Sequence, residues 1–333
     1  MKRSLARWAL DIWYKDAFLG ILLLPLAYIF SDIVRIRRYI YKCGLKKSHT
    51  MPVPVIVVGN ITVGGTGKTP LVIWLANLLK NSGYKPGIIS RGFGGHSEMW
   101  PLVVNETSDV MQVGDEPLMM ARQTLLPVVV GPSRVDSAKK LLAEFDCDVV
   151  LSDDGLQHYK LNRDIEIAVV DGERRFGNGY CLPAGPLREP IERLGSVDFI
   201  VVNGEKYADH EFEMQLNGDV AVNIKTGEQK ALQNFTGIDC HALAGIGNPD
   251  RFFKMLQSYG LACTTYSFPD HYLFKPGDIE FGDTKPVLMT EKDAVKCNRF
   301  ANRQHWFVPV KADVEAVFGQ KLLDLLMKKK HDR

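Results

Sequence analysis

Short runs of aliphatic and β-branched residues recur along the chain, and several lead into stretches whose apolar positions repeat at helical spacing. "VPVIVVG" (53–59) reads as a strand buried on both faces, and "KTPLVIWLANLLKNSG" (68–83) as a helix stopped by glycine. The rhythm continues. "YKPGIISRGFGG" (84–95) carries a strand into a basic, glycine-rich turn, "LPVVVG" (126–131) is another short strand, and "SRVDSAKKLLAEF" (133–145) is a helix. "CDVVLSDDGLQHYK", "IEIAVVDG" (165–172) and "DFIVVNG" (198–204) add further strands. Strands alternating with helices predict a parallel sheet whose carboxyl ends open on one crevice.

The rhythm lapses over residues 211–240, where "NGD", "KTGEQ" and "FTG" mark turns, and this stretch reads as a linker. Beyond it, "CHALAGIGNPDRFFKMLQSYG" reads as strand, glycine-rich turn and helix, with Asn248 as cap and Pro249 at the helix start. "KPVLMTEKDAVK" repeats strand then helix, its "TEKD" either touching a nucleotide or capping the helix, and "QHWFVPV" (304–310) supplies a last strand. The expected organisation is an N-terminal segment (1–50), a main α/β domain (51–210), a linker (211–240) and a smaller α/β domain (241–330).

The N-terminal segment follows a different pattern. "AFLGILLLPLAYIFS" (17–31) has no charge, is preceded by Trp8, Trp13 and Tyr14, and is followed by "RIRRYIYKCGLKK". A spanning helix needs about 20 apolar residues, so this run is short, and Pro25 interrupts it. No small-residue cleavage site follows, which argues against a signal peptide. An amphipathic or re-entrant membrane anchor is expected, with Arg35, Arg37, Arg38, Lys42, Lys46 and Lys47 facing anionic lipid; the alternative is a hairpin buried on the protein's own core.

Charge sharpens that picture. The net charge of +2 conceals ten Lys or Arg against three acids in residues 1–50, and 31 against 36 in the remainder. A basic head on a mildly acidic body points to an anionic surface near the N-terminus. The apolar content of 46% is that of a folded globular chain, and the six scattered cysteines lack any C-x-x-C pair, so they are expected to be reduced thiols.

The candidate chemistry centres on "NITVGGTGKT" (60–69), between the first strand and the first long helix. Gly67-Lys68-Thr69 ends a phosphate-binding loop of the kind G-x-x-x-x-G-K-[ST], although Thr62 stands where the first glycine belongs. Gly64 and Gly65 supply backbone freedom two residues later. Thr62, Val63, Gly64, Gly65, Thr66, Gly67, Lys68 and Thr69 are therefore assigned to a nucleotide. Backbone N–H groups from Gly64 to Lys68 would cradle the β- and γ-phosphates, Lys68 would neutralise them, and the Thr69 hydroxyl would bind Mg²⁺. Asp153 and Asp154 end the strand expected to hold Mg²⁺ opposite the loop, with Gln157 and His158 bordering the site.

The Gly- and Pro-rich "RRFGNGYCLPAGPLREP" offers Arg188 for charge neutralisation and Glu189 for metal or substrate orientation. In "VGDEP", Asp115 is either a helix-terminal residue or a general base, and "FPDHYLF" offers His271 beside Asp270. A soluble small-metabolite kinase and a membrane-bound ATPase switch remain competing readings of these residues alone.

Together, "GNITVGGTGKTP", "ISRGFGG", "VGDEP", "LSDDGLQH", "RRFGNGYCLPAGPLREP", "FPDHYLF" and "LMTEKDAVK" resemble the tetraacyldisaccharide 4′-kinase family, the lipid A 4′-kinases of Gram-negative bacteria, in order and across most of the chain. Thr62 is part of that family's pattern. The resemblance implies transfer of the ATP γ-phosphoryl to the 4′-hydroxyl of a tetraacylated glucosamine disaccharide 1-phosphate at the cytoplasmic face of the inner membrane. It also implies two α/β domains around the active-site cleft, joined by a β-ribbon. The residues themselves lead to a P-loop NTPase-like parallel sheet flanked by helices, and no nucleic-acid or obligate protein partner is expected. By carry-over, Lys68 and Thr69 serve phosphate and Mg²⁺, and Asp115 pairs with His271 to activate the acceptor hydroxyl. Asp153, Asp154, Gln157 and His158 line the metal and phosphate region, and Arg188 and Glu189 complete the catalytic ring.

Overall fold

A computed structural model describes residues 12–14 and 19–332. The expectations placed on Trp8, on the cations from Lys2 to Lys15 and on the first residues of the apolar run lie outside the described residues. A short helix α1 (Leu19–Leu22) leads into α2 (Leu24–Lys42), and Pro25 sits in the first turn of α2, where a missing N–H breaks no helical bond. Among the described residues no helix is long and apolar enough to cross a membrane.

The main sheet follows the alternation in the sequence. Its strands are β1 (Val55–Gly59), β2 (Pro86–Ser90), β3 (Leu102–Val104), β4 (Val128–Val130), β5 (Val149–Ser152), β6 (Ile165–Asp171), β7 (Phe199–Asn203) and β8 (Glu211–Asn217). Its helices are α3 (Lys68–Asn81), the one-turn α4 (Val110–Val113), α5 (Asp115–Thr124) and α6 (Arg134–Glu144). The phosphate-loop strand β1 is central, paired in parallel with β5 on one side and β6 on the other. Every residue of β1 is buried, which is why its sequence is a continuous apolar run rather than an alternation.

Helix α3 buries Leu71, Val72, Leu75, Ala76 and Leu79 against the sheet. Each leucine there contributes about 1.5–3 kcal/mol of burial, and truncating Leu75 to alanine would cost about 2–5 kcal/mol. Packing, more than capping, holds this helix, because its N-cap is Gly67 with no side-chain cap.

The second sheet comprises β9 (Val220–Asn223), β10 (Gln229–Ala231), β11 (Cys240–Ala244), β12 (Cys263–Ser267), β13 (Val287–Thr290) and β14 (His305–Val308). Its helices are α7 (Pro249–Ser258), the short α8 (Pro276–Ile279) and α9 (Glu291–Cys297). Strand β15 (Lys311–Val314) and helix α10 (Ala316–His331) then return to the first sheet, β15 pairing antiparallel with β8. Phe318 of α10 stacks on Trp74 and meets Phe199 and Phe212 edge-on or tilted.

The connection therefore differs from the expected boundaries. Residues 211–240 are not one linker: β8 completes the first sheet, and β9 and β10 begin the second. The last part of the 241–330 segment likewise belongs to the first sheet. The sequence hid this because β8 and β15 are partly polar and β15 is a short edge strand.

Candidate active site

The carboxyl ends of the first sheet open on a cleft closed from above by the second sheet's loops. Gly65 to Pro70, Glu116, Asn203, Gly247, Arg251 and Thr290 to Lys292 line it. Strand β1 delivers the loop and α3 starts at Lys68, so the loop N–H groups and the helix N-terminus converge on one point, the arrangement that binds phosphate.

Two glycines are required by this geometry. Gly67 has φ 94°, and a Cβ there would lie 2.6 Å from Asn203 Nδ2, whose amide instead donates to the Thr66 carbonyl at 3.1 Å. Gly247, in the turn after β11, approaches so closely that a Cβ would fall 2.4 Å from the Gly65 nitrogen. The "GIGN" turn thus serves close contact between the second domain and the loop. Asn248, expected as a cap, makes no capping bond; its Oδ1 accepts from Arg174 at 3.1 Å.

Thr62, the residue out of pattern, bridges to Leu187, and Val63 N–H donates to the Pro186 carbonyl at 2.8 Å. The start of the phosphate loop is therefore fastened to the Gly- and Pro-rich segment rather than curled by a glycine. Arg188 follows directly, donating to Asn60 Oδ1 at 2.9 Å and to Asp154 at 3.0 and 3.2 Å. Lys68 Nζ stands 3.6 Å from the same Asp154 oxygen.

Asp153 and Asp154 are adjacent but differently placed. Burial works to raise the pKa of Asp154, yet the Lys68 and Arg188 charges prevail and hold it well below the usual carboxylate range. Asp153 is 1% exposed; burial, then the Glu116 and Asp154 charges, push it up to about 7. Ser90 Oγ donates to Asp153 Oδ2 at 3.2 Å, whereas Oδ1 is buried with no hydrogen-bond partner. Asp154 has φ 46°, a left-handed conformation uncommon outside glycine and typical of strained functional positions.

These groups fit Mg²⁺. An unpartnered buried Asp153 oxygen and the Thr69 hydroxyl at the loop are hard oxygen donors, and Mg²⁺ completes its shell with phosphate oxygens and water rather than a protein cage. Among the described residues no group of three or more His, Cys, Asp or Glu side chains able to hold a metal occurs.

Glu189 is corrected by the structure. Its two oxygens receive Gln157 Nε2 at 2.7 Å and the Tyr159 hydroxyl at 2.5 Å, and Arg193 Nε lies 3.4 Å away. The carboxylate is thus taken by buried partners, with no described contact to Asp153, Asp154 or Thr69, and it orients Gln157 instead of a metal. Gln157 also donates to the Asn60 carbonyl at 3.0 Å, bracing the base of the loop. His158 is pushed down to about 4 by burial and by Arg134, so it is neutral at pH 7.

The second cluster spans the cleft. Asp115, the first residue of α5, accepts from His271 Nδ1 at 3.1 Å, and His271 is itself in a left-handed conformation with φ 57°. Lys296 Nζ lies 3.8 Å from Asp115 and 2.8 Å from Asp293. Lys292 reaches Glu116 at 2.9 Å, Asp270 at 3.1 Å and His271 Nε2 at 3.3 Å. That last contact is a hydrogen bond only while the imidazole is neutral, with its proton on Nδ1 facing Asp115. Burial alone would raise Asp115, but the His271 hydrogen bond and the Lys292 and Lys296 charges hold it below the ordinary value. His271 is raised: burial and Lys292 oppose its charge, and Asp115 outweighs them.

Sequence reasoning placed Asp115, His271, Lys68, Thr69, Asp153, Asp154 and Arg188 around this cleft. It did not single out Asn60, although that residue heads the phosphate-loop segment, nor Asn203 at a strand end, nor Lys296, whose importance follows from pairing across domains. Of the two readings of "TEKD", the cap is present, Thr290 Oγ1 accepting from Asp293 N–H at 3.3 Å at the start of α9, and Glu291 and Lys292 line the cleft.

The tetraacyldisaccharide-1-P 4′-kinase family model matches residues 19–327. The chain is 52% identical over 317 residues to tetraacyldisaccharide 4′-kinase of Nitrosococcus oceani, covering 95% of this chain and 94% of that protein. It is 48% identical over 300 residues to that of Ruthia magnifica, with 90% and 95% covered. Its fold matches the crystal structure of LpxK from Aquifex aeolicus in complex with ATP at a TM-score of 0.78 and 31% identity, over 94% of this chain and all of that one.

Proposed function

The chain belongs to the tetraacyldisaccharide-1-phosphate 4′-kinase family and is a kinase of lipid A biosynthesis; on that premise we propose that its cleft carries ATP and Mg²⁺ and passes the γ-phosphoryl to the disaccharide 4′-hydroxyl at a membrane surface. The observation that carries this reading is the meeting of two clusters in one cleft. Lys68, Asp154 and Arg188 stand at the phosphate loop, and Asp115 with His271 stands opposite.

In this reading the loop N–H groups and Lys68 hold the β- and γ-phosphates, and Arg188 stabilises charge on the transferring group. Thr69 and Asp153 would hold Mg²⁺, which neutralises phosphate charge when bound. The acceptor oxygen attacks the γ-phosphorus, the bond to the β-γ bridging oxygen breaks, and the hydroxyl proton passes to the Asp115–His271 pair. ADP and the 4′-phosphorylated disaccharide leave. Lys292 and Lys296 keep Asp115 ionised and the dyad aligned.

Membrane approach rests on α2. Ala27 and Ser31 are buried against the body, while Leu26, Ile29, Ile33 and Ile36 form an outward apolar stripe, each 55–59% exposed. On the protein side, Arg37 donates to the Gln157 carbonyl at 3.2 Å, and Arg35 lies 3.7 Å from Glu192. The helix proposed to enter the cytoplasmic leaflet of the inner membrane is thereby tied to the segments carrying Gln157 and Glu192.

Incubation with γ-labelled ATP and the disaccharide 1-phosphate, followed by chromatography of the lipid fraction, tests the reading. Label in a product with one added phosphate is expected. Release of labelled inorganic phosphate with an unlabelled lipid fraction would overturn it.

A further inference from the structure

The cleft has an end that the transfer chemistry does not use. Helix α5 begins at Asp115 and reaches Gln123 eight residues later, about 12 Å along the axis. At that far end, Gln123 Nε2 donates to Glu291 Oε2 at 2.5 Å, linking the first domain to the second. Neither side chain makes another hydrogen bond among the described residues. The walls nearby are apolar: Ile73 one turn past Thr69 on α3, Met119 on α5, Leu216 on β8, Phe252 and Met255 on α7, and Val308 on β14.

A carboxyl group in such surroundings calls for a reason. Burial pushes Glu291 up to about 7, and only Gln123 and the more distant Arg122 charge act against it. Its neighbour Lys292 turns to Glu116 and His271, because successive helical residues point about 100° apart. Glu291 is therefore a polar group without a cation, lining the same cleft as the phosphate loop.

We infer that the Gln123–Glu291 pair reads the nucleotide base, accepting the 6-amino group of adenine and rejecting bases that present a carbonyl oxygen there. This rests on the reading of the cleft as the nucleotide site. The apolar walls accept the faces of a purine, and the pair supplies the directional contact. In its ionised form Glu291 only accepts hydrogen bonds, and the adenine amine satisfies that form, whereas guanine or hypoxanthine O6 would face it with a second acceptor. A site built on such a contact discriminates strongly, because the wrong base leaves buried polar groups unpaired.

The test measures kcat/KM for lipid phosphorylation with ATP, GTP, inosine triphosphate and purine riboside triphosphate, in the unaltered protein and in Glu291→Gln and Gln123→Leu. The unaltered protein is expected to lose about tenfold in kcat/KM when the 6-amino group is removed, mostly through KM, and more with GTP. Glu291→Gln, which gains a donor, is expected to shift the GTP-to-ATP ratio about tenfold toward GTP. Equal kcat/KM for ATP and purine riboside triphosphate in the unaltered protein overturns the inference, whether or not the variants fold. So does an unchanged GTP-to-ATP ratio in folded variants whose KM rises equally for every nucleotide, the mark of a plain interdomain contact. No transfer from any triphosphate by the unaltered protein would instead remove the nucleotide reading on which the inference stands.

Discussion

Asp153 and Asp154 leave the end of β5 among Lys68, Ser90, Arg134 and Arg188, all from strands, loops and helices of the same domain. Asp115 also comes from that domain, yet the side chains that hold it, His271, Lys292 and Lys296, all come from the other. The first cluster is assembled from one domain, whereas the second takes its side chains from both. The charges beside the phosphate loop are in this way drawn from one domain, and the proposed acceptor-activating pair from both.

The strongest challenge to that division is Asp115→Ala. Turnover is expected to fall by about 10³-fold, within the range for losing a general base, with ATP affinity by calorimetry changed less than about threefold. Equal losses in both would mean that the two clusters are one. Next in size, Lys296→Met leaves Asp115 and Asp293, both nearly inaccessible, without their shared cation. A loss of about 3–5 kcal/mol in urea unfolding is expected, and a negligible change would show that the bridging cation is not what holds the closed pair.

On the other side, Asp153→Asn replaces a carboxyl already pushed up to about 7, so folding should survive. The Mg²⁺ concentration for half-maximal rate is expected to rise about tenfold or more, a loss like that for a disturbed metal shell. An unaltered Mg²⁺ titration would remove Asp153 from the metal site.

The dyad also carries a pH signature. The His271 pKa is raised in the folded protein, so its pairing contributes fully below the unfolded value near 6.5 and is lost as pH rises through the folded value. The Asp115 pKa is lowered, so its share is present above the unfolded value and is lost as pH falls through the folded one. The melting-temperature difference between the unaltered protein and His271→Gln should therefore shrink as pH rises past 6.5, and a difference that grows would reverse the assignment. The smallest effect concerns α2: Ile33→Asp should weaken binding to anionic vesicles several-fold while leaving kcat on detergent-dispersed acceptor unchanged. Undiminished vesicle binding would take the apolar stripe out of the docking surface.

Much of the nucleotide side was legible in the residues themselves. "VPVIVVG" and "KTPLVIWLANLLKNSG" have apolar patterns that only a buried strand and a packed helix satisfy, and together they aim Gly64 to Thr69 at one point. Local chemistry sufficed there, because a phosphate loop is a short-range device. Glu189 shows the limit: a glutamate beside Arg188 reads as a ligand until Gln157, Tyr159 and Arg193 are seen around it.

Residue order alone determined the alternation of strands and helices, the phosphate loop and the identity of the carboxylates near it, since these depend on spacing within a few turns of chain. Tertiary structure decided which of those groups are paired, charged or empty-handed. Asp115 meets a histidine 156 positions away, Gln123 meets Glu291 across 168, and β15 returns to the first sheet after the second is complete. No periodicity records such contacts. They arise when two separately buried cores dock and bring polar edges together.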